Sequence, residues 1–197
     1  PGKLYVLASH FHPDHFNKEV LQWREQRPDI IYIFSKDILR HRRAQKEDAV
    51  WLKKGEEYKD ETLSVRAFGS TDVGVSFLLQ ASGKKIFHAG DLNNWHWMDE
   101  STEAEWKGAE KNFLHELDDL YAYTPEVDVA MFPVDPRLGK EYMRGAGQFV
   151  TKIKTHIFVP MHFTPEYAKA NAFRDFAEAH GVRFVSLTHR GQKIEIE

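Results

Sequence analysis

An α/β layered fold is predicted by two observations. Short, almost wholly apolar runs of strand length recur through the chain, and stretches with apolar residues at helical spacing alternate with them. The first run, Leu4 to Ala8, lacks polar alternation, as expected of a strand covered on both faces of a sheet. Asn17 can cap a helix running to about Gln26, with Val20 and Leu21 facing inward, and Asp29 to Phe34 reads as a second short strand. Ser35 is placed to cap a further helix through Ile38 and Leu39; its basic cluster His41-Arg42-Arg43 reads as a solvated face. From Glu61 the period changes: Leu63, Val65 and Ala67 alternate with Thr62, Ser64 and Arg66. Val75 to Leu79 is rich in strand formers, and Ser82-Gly83 precedes Lys85 to Phe87, so three antiparallel strands are expected here. Ser101 to Tyr123 fits a helix whose Trp106, Phe113, Leu117 and Leu120 form a packing stripe. After Thr124-Pro125 the expected order is strand (Val127 to Phe132), helix (about Lys140 to Ile153), strand (His156 to Val159) and helix (Pro165 to His180). A strand from Val182 to Leu187 and a short one from Lys193 to Ile196 close the chain.

The 197 residues, 42% hydrophobic and 29% charged, suit one globular domain over residues 1–197. No linker, repeat or low-complexity segment divides it. The sequence opens without Met, directly at a core strand, and so reads as incomplete at its N-terminus. No apolar stretch reaches the roughly 18 residues of a membrane helix, and there is no secretory signal, so a soluble, cytoplasmic protein is expected. A net charge of −3 without long runs of one sign argues against a general nucleic-acid or anionic-membrane binder. A small-molecule substrate is the expected partner, and a homo-oligomer is compatible with the sequence. The absence of Cys excludes disulfides, a thiol nucleophile and Cys-ligated metal, whereas 11 His direct attention to imidazole as ligand or acid–base group.

Three of the expected strands end in candidate ligands. Ser9-His10-Phe11-His12-Pro13-Asp14-His15 follows the first strand, at the carboxyl end where α/β sites form. Three imidazoles and a carboxylate so close together suit Zn²⁺, Mn²⁺ or Fe²⁺ and can serve two neighbouring ions. Phe87-His88-Ala89-Gly90-Asp91 ends a second strand with a carboxylate able to bridge two cations, and His162 in Val159-Pro160-Met161-His162-Phe163 ends a third. No dinucleotide loop, phosphate loop or nucleophile elbow is present.

At these residues the sequence resembles the metallo-β-lactamase superfamily, whose H-x-H-x-D-H motif is matched by His10, His12, Asp14 and His15. The resemblance covers essentially the whole chain and implies a four-layer αββα sandwich that lacks the family's N-terminal strands. It implies His10 and His12 at a first metal, Asp14, His15 and His162 at a second, and Asp91 shared by both. The family's third His of the first site is missing from Gly69-Ser70-Thr71-Asp72-Val73-Gly74. Ungapped matching puts Ser70 there, whereas Asp72 offers the better metal-binding group, so this half is expected to be weak, empty or differently loaded.

Around the centre, Trp95 and His96 are candidate substrate contacts, with Asn93, Asn94 and Trp97 as further pocket walls. Arg137 in Asp135-Pro136-Arg137 can pair with an anionic group, or form a structural salt bridge; the same segment loosely resembles the phospholipase-D-like and lactonase-like branches of the superfamily. His88 reads either as a supporting hydrogen-bond partner or as an ordinary satisfied histidine. The implied function is a metal-dependent hydrolase, in which a metal-bound hydroxide attacks an ester, lactone, amide or phosphodiester, with Asp14 and Asp91 as its catalytic carboxylates. The alternatives are a nucleic-acid or lipid phosphodiesterase of the same fold, and a non-catalytic metal- or ligand-binding protein.

Overall fold

Loop length decides how the strands pair. The structure, a computed structural model, describes residues 2–195. Strands β1 (Tyr5–Ala8), β2 (Ile31–Ser35) and β3 (Val50–Leu52) form a parallel sheet in that order. The long segments between them carry a 3₁₀ helix (Lys18–Glu25), helix α1 (Lys36–Arg40) and a short 3₁₀ turn (Lys46–Asp48), the crossovers that parallel pairing needs. Strands β4 (Glu57–Lys59), β5 (Leu63–Phe68), β6 (Ser76–Ala81) and β7 (Lys84–His88) are joined by short turns and pair antiparallel. The tightest turn is Ser82-Gly83, where both residues have positive φ, the backbone of a two-residue hairpin. Helix α2 (Glu103–Tyr123), strand β8 (Glu126–Pro133), helix α3 (Arg144–Lys152), strand β9 (Lys154–Met161), helices α4 (Tyr167–Asn171) and α5 (Arg174–Ala179) and strand β10 (Arg183–Phe184) then restore parallel pairing. The second sheet therefore has seven strands in the order β10-β9-β8-β7-β6-β5-β4.

Three apolar clusters hold four layers together. Ile33 and Leu52 of the small sheet meet Val65, Ala67 and Phe77 of the large one. On the outer face of the large sheet, Phe87, Phe132 and Phe158 pack against Phe113 and Leu117 of α2, Phe149 of α3 and Phe173. On the outer face of the small sheet, Tyr32 and Phe34 pack against Phe16, Val20, Leu21 and Ile38. Each fully buried Phe contributes about 1.5–3 kcal/mol through apolar area removed from water. The two sheets are also tied at one edge by Asp60. Its carboxylate accepts Tyr5 Oη at 2.7 Å, Tyr58 Oη at 3.0 Å and the backbone N–H groups of Thr62 and Leu63 at 2.8 and 2.9 Å. The bond from Tyr5 is foremost in holding the Asp60 carboxyl below its usual range.

Several elements differ from the sequence reading. The segment after Asn17 is a 3₁₀ rather than an α-helix, although Asn17 Oδ1 caps it through Glu19 N at 2.9 Å. The helix expected from Lys140 to Ile153 is preceded by a 3₁₀ turn (Pro136–Glu141) capped by Asp135, and α-geometry begins only at Arg144. The helix expected from Pro165 to His180 is broken into α4 and α5 at Ala172-Phe173, where the Phe173 ring is drawn fully into the core. Asn171 turns its amide to the backbone of Leu187, donating to its carbonyl at 2.9 Å and accepting its N–H at 3.1 Å. The strand expected to reach Leu187 accordingly stops at Phe184. Residues 193–195 form no strand, and Ile196 lies outside the described residues. The short strands β3 and β4 went unread because β3 buries only Leu52 and β4 buries none of its residues. Among the described residues no helix is long and apolar enough to cross a membrane.

Candidate metal centre

Four loops at strand ends converge on one spot, and two glycines permit it. Gly74 has φ +76°, and a Cβ there would lie 2.1 Å from the Ser9 carbonyl oxygen, so the β5–β6 loop can close on the histidine-rich turn after β1. The contact is sealed by Val75 N donating to Ser9 O at 3.0 Å. Gly90 has φ +55°, and a Cβ there would meet Val75 O at 2.8 Å and Ser9 Cβ at 2.9 Å, so the loop after β7 reaches the same point. Thr71 then fastens two of these loops, its Oγ1 donating to Asn93 O at 2.6 Å and accepting Asn93 N at 3.0 Å. His162 enters from the end of β9 with φ +63°, a left-handed conformation that costs a branched or ring-bearing residue about 1–3 kcal/mol.

Asp91 occupies the middle. Its Oδ2 lies 3.2 Å from His10 Nε2, while Oδ1 lies 3.2 Å from His15 Nε2 and 3.3 Å from His162 Nε2. Two groups of donor atoms result, each able to hold a cation: His10, His12 and Asp91 on one side, Asp14, His15 and His162 on the other. Despite the short distances, His10 Nε2 and Asp91 Oδ1 are buried and complete no hydrogen bond. Buried polar atoms left in this way carry a desolvation cost, which a cation in each group would remove. The donors are imidazole nitrogens and carboxylate oxygens, a set that fits Zn²⁺, Mn²⁺ or Fe²⁺.

Neighbours outside the donor set fix the rings. His10 Nδ1 faces Ser9 Oγ at 3.0 Å and His15 Nδ1 faces the same oxygen at 3.5 Å, which leaves both Nε2 atoms toward Asp91. His162 Nδ1 donates to Asp135 Oδ2 at 2.9 Å, so its Nε2 also points inward. Burial works against charge on His162, but the bond to Asp135 and the negative charge of the nearby Asp91 carboxylate outweigh it and push its pKa up to about 9. Burial also opposes charge on Asp135, yet His162 and Arg137 hold its pKa at about 2. At Asp91, burial is outweighed by His10 and His162, and the carboxyl stays well below its usual range. His15 is lowered, mainly by burial and against the pull of Asp91, which favours the neutral ring that a cation requires.

The sequence-predicted residues separate into those the fold gathers and those it does not. His10, His12, Asp14, His15, Asp91 and His162 are all gathered. Asp72 stands apart from the two groups, half exposed, with Oδ2 3.9 Å from His12 Nδ1; the Ser70 hydroxyl accepts the backbone N–H of Asp72 at 3.4 Å. Trp95 borders the centre, its ring 5.4 Å from that of His162 and its Nε1 donating to Asp91 O at 2.8 Å. Arg137 borders it as well, beside two adjoining clefts of about 260 and 390 Å³ that share His162 as a wall.

His96 does not face the clefts, and the expectation of a substrate contact there is corrected. The ring is 1% exposed, Nε2 donates to Glu141 O at 3.1 Å and Nδ1 accepts Met98 N at 3.1 Å, so both nitrogens are engaged. Asn93 and Asn94 are likewise fully buried, and Asn94 donates to Gln148 at 2.9 Å and to Glu110 at 3.3 Å. His88 accepts Gly90 N at 3.1 Å, and burial lowers its pKa. Sequence reasoning missed Ser9 as a ring partner and Asp135 as the partner of His162. The only sequence signal for either is its position at a strand end, beside residues that were singled out.

A model of the beta-lactamase superfamily domain matches residues 4–163. A comparison with curated proteins gives no match. Among solved structures, Igni18, a metallo hydrolase from the hyperthermophilic archaeon Ignicoccus hospitalis, superposes with a TM-score of 0.62 at 16% identity, over 93% of this chain and 76% of the other. CmlA, a diiron beta-hydroxylase from Streptomyces venezuelae, gives a TM-score of 0.59 at 14% identity, over 93% of this chain and 43% of the other. Zn²⁺-bound PqqB from Methylobacterium extorquens gives 0.54 at 16% identity, over 92% and 70%. At these identities the likeness is one of fold, and fold alone does not assign a reaction.

Proposed function

The chain belongs to the metallo-β-lactamase superfamily, and from that premise we propose that it is a metal-dependent hydrolase acting on a small-molecule ester, lactone, amide or phosphodiester. The supporting observation is Asp91, a buried carboxylate with one oxygen toward His10 and the other toward His15 and His162. Two divalent cations, zinc or manganese with iron as the further candidate, are the proposed cofactors. His10, His12 and Asp91, with Asp72 nearby, would hold one; Asp14, His15, His162 and the other oxygen of Asp91 would hold the second. When bound, such ions lower the pKa of their water from about 15.7 to about 7 and polarise the electrophilic oxygen of a substrate.

The protein's own part is positional. Asp91 sets the spacing of the two groups, and Asp135 holds the Nδ1 proton of His162, so Nε2 is the nitrogen aimed at the donor group and would release its own proton to a cation bound there. Asp14, whose side chain is 71% exposed, places a carboxylate at the open face 3.5 Å from His15 Nε2, where it can orient an incoming water. Trp95 and Trp97 lie nearly parallel, ring centres 6.4 Å apart, and line the smaller cleft with aromatic surface.

Elemental analysis of the purified protein, coupled to a screen of lactones, phosphodiesters and thioesters with and without added Mn²⁺ or Zn²⁺, tests the proposal. Near two equivalents of metal are expected, one for each donor group, with turnover that disappears in His12→Ala and Asp91→Ala. One equivalent or none, with no turnover on any substrate, would replace the enzyme by a metal- or ligand-binding protein.

A further inference from the structure

We propose that the substrate of this site carries an oxyanion group, phosphate or carboxylate, and that Arg137 seats it; this rests on the hydrolase reading above. Arg137 follows the end of β8, in the 3₁₀ turn capped by Asp135. One edge of its guanidinium is fixed: Nε donates to both oxygens of Asp135 at 3.0 Å, and Nη2 donates to Oδ2 at 2.6 Å. Nη1 has no acceptor among the described residues. Asp135 is 1% exposed while the Arg137 side chain is 55% exposed, so the pair is anchored in the core and its cationic end stands in the open.

Asp135 does not need the whole guanidinium. Its Oδ2 already accepts His162 Nδ1 at 2.9 Å, and its Oδ1 accepts the backbone N–H of Arg137 at 3.0 Å. A purely structural partner would be satisfied by less than a planar fork and would not have to border a cleft. Arg137 and His162 border both clefts, whose other charged walls are the carboxylates of Asp72 and Asp91 in one and Asp14 in the other, so among the described residues Arg137 is the one Lys or Arg that could offset them for an anionic ligand. Because Asp135 holds Nε and Nη2, the guanidinium cannot swing over to neutralise Asp14 or Asp91, and Nη1 is held ready without further ordering. Trp95 has spent its Nε1 on Asp91 O, so with Trp97 it offers ring surface and competes for no anion. The chemistry that suits these walls is an oxyanion at Nη1, with the scissile bond of the same molecule lying toward Asp91. A planar carboxylate and a tetrahedral phosphate can both accept from this edge.

The test uses the whole protein loaded with zinc, its metal content measured first. Inorganic phosphate and acetate are then titrated calorimetrically into wild type, Arg137→Ala and Arg137→Lys at equal zinc content. Wild type is expected to bind at least one anion, with a Kd about 10- to 100-fold higher in Arg137→Ala, the loss of a charged hydrogen bond. Arg137→Lys, which keeps charge but not the fork, is expected to fall between them and serves alone if Arg137→Ala does not fold. Whether phosphate or acetate shows the larger loss identifies the oxyanion. Equal affinities in all three proteins at near two equivalents of zinc would overturn the inference and leave the hydrolase reading standing. Wild type that takes up less than one equivalent would instead remove the hydrolase reading on which it rests.

Discussion

The two halves of the centre share Asp91 but are built differently around it. On the second side, His162 is locked from behind by Asp135, a carboxylate 1% exposed and itself held by Arg137. On the first side, His10 is fully buried, yet His12 is 36% exposed and Asp72 47% exposed, and the 3.9 Å between the last two is too long for a hydrogen bond. One half therefore has a buried carboxylate behind its ligand, and the other has His12, whose ring packs on His10 and Phe11 at 4.7 and 4.6 Å but has no carboxylate of that kind behind it among the described residues. Ser9 is common to both, its hydroxyl within 3.0 Å of His10 Nδ1 and 3.5 Å of His15 Nδ1. The lesson is that a site can have a complete set of ligand types and still be uneven, because affinity depends on what holds each ligand as well as on its identity.

The largest expected difference comes from removing the outer layer on one side only. Asp135→Asn takes away the charge behind His162 and should weaken zinc at the second half by about 10- to 100-fold while sparing the first. Calorimetric titration of the metal-free protein with Zn²⁺ reads the two affinities separately. Equal weakening of both would mean that the halves form one inseparable unit, with no separate outer layer on the second side.

A smaller effect is expected on the other side. Asp72 is half exposed and 3.9 Å from His12, so Asp72→Ala should cost the first half no more than about fivefold in zinc affinity, the range of a solvent-exposed charge pair. Asp72→His should tighten that half if the loop can bring an imidazole to the ion, since it supplies a third nitrogen donor beside His10 and His12. If Asp72→Ala instead removes one whole equivalent of zinc, Asp72 is a full ligand and the first half is as well made as the second.

What the sequence disclosed follows the same division. His10, His12, Asp14, His15, Asp91 and His162 could be read because each stands at the end of an apolar run, and strand ends in layered α/β folds gather at one edge. The family resemblance added their grouping, which spacing alone did not contain. The supports were not legible: Asp135 and His162 are 27 residues apart, and nothing local marks them as partners. His96 was misplaced for a related reason. A His beside two Trp looks like a cleft residue until the turn at Trp97, with φ +43°, carries it inward to Glu141. The layered architecture was legible from alternation, but the break between α4 and α5 was not, because it falls at Ala172-Phe173, where the Phe173 ring packs into a core made by residues distant in sequence.

Both halves differ from the sheet edge around Asp60, which touches neither. Asp60 ties the β4–β5 turn to Tyr5 at the start of β1, and its carboxyl is held below its ordinary value of 3.8, first by the Tyr5 bond and then against the cost of burial. For an acid whose pKa is depressed on folding, the added stability is present above the unfolded-state value and is lost as pH falls toward the folded one. Wild type should therefore lose this contribution progressively below pH 3.8. Asp60→Asn should show a lower Tm at neutral pH, with the gap to wild type narrowing under acid conditions and zinc content unchanged. Thermal melts from pH 7 to pH 2, followed by far-ultraviolet circular dichroism, give the comparison. A gap that stays constant with pH would show that the knot acts through shape rather than charge. A fall in zinc content would show instead that the sheet edge and the metal centre are mechanically linked, since β1 runs from this knot directly into Ser9 and His10.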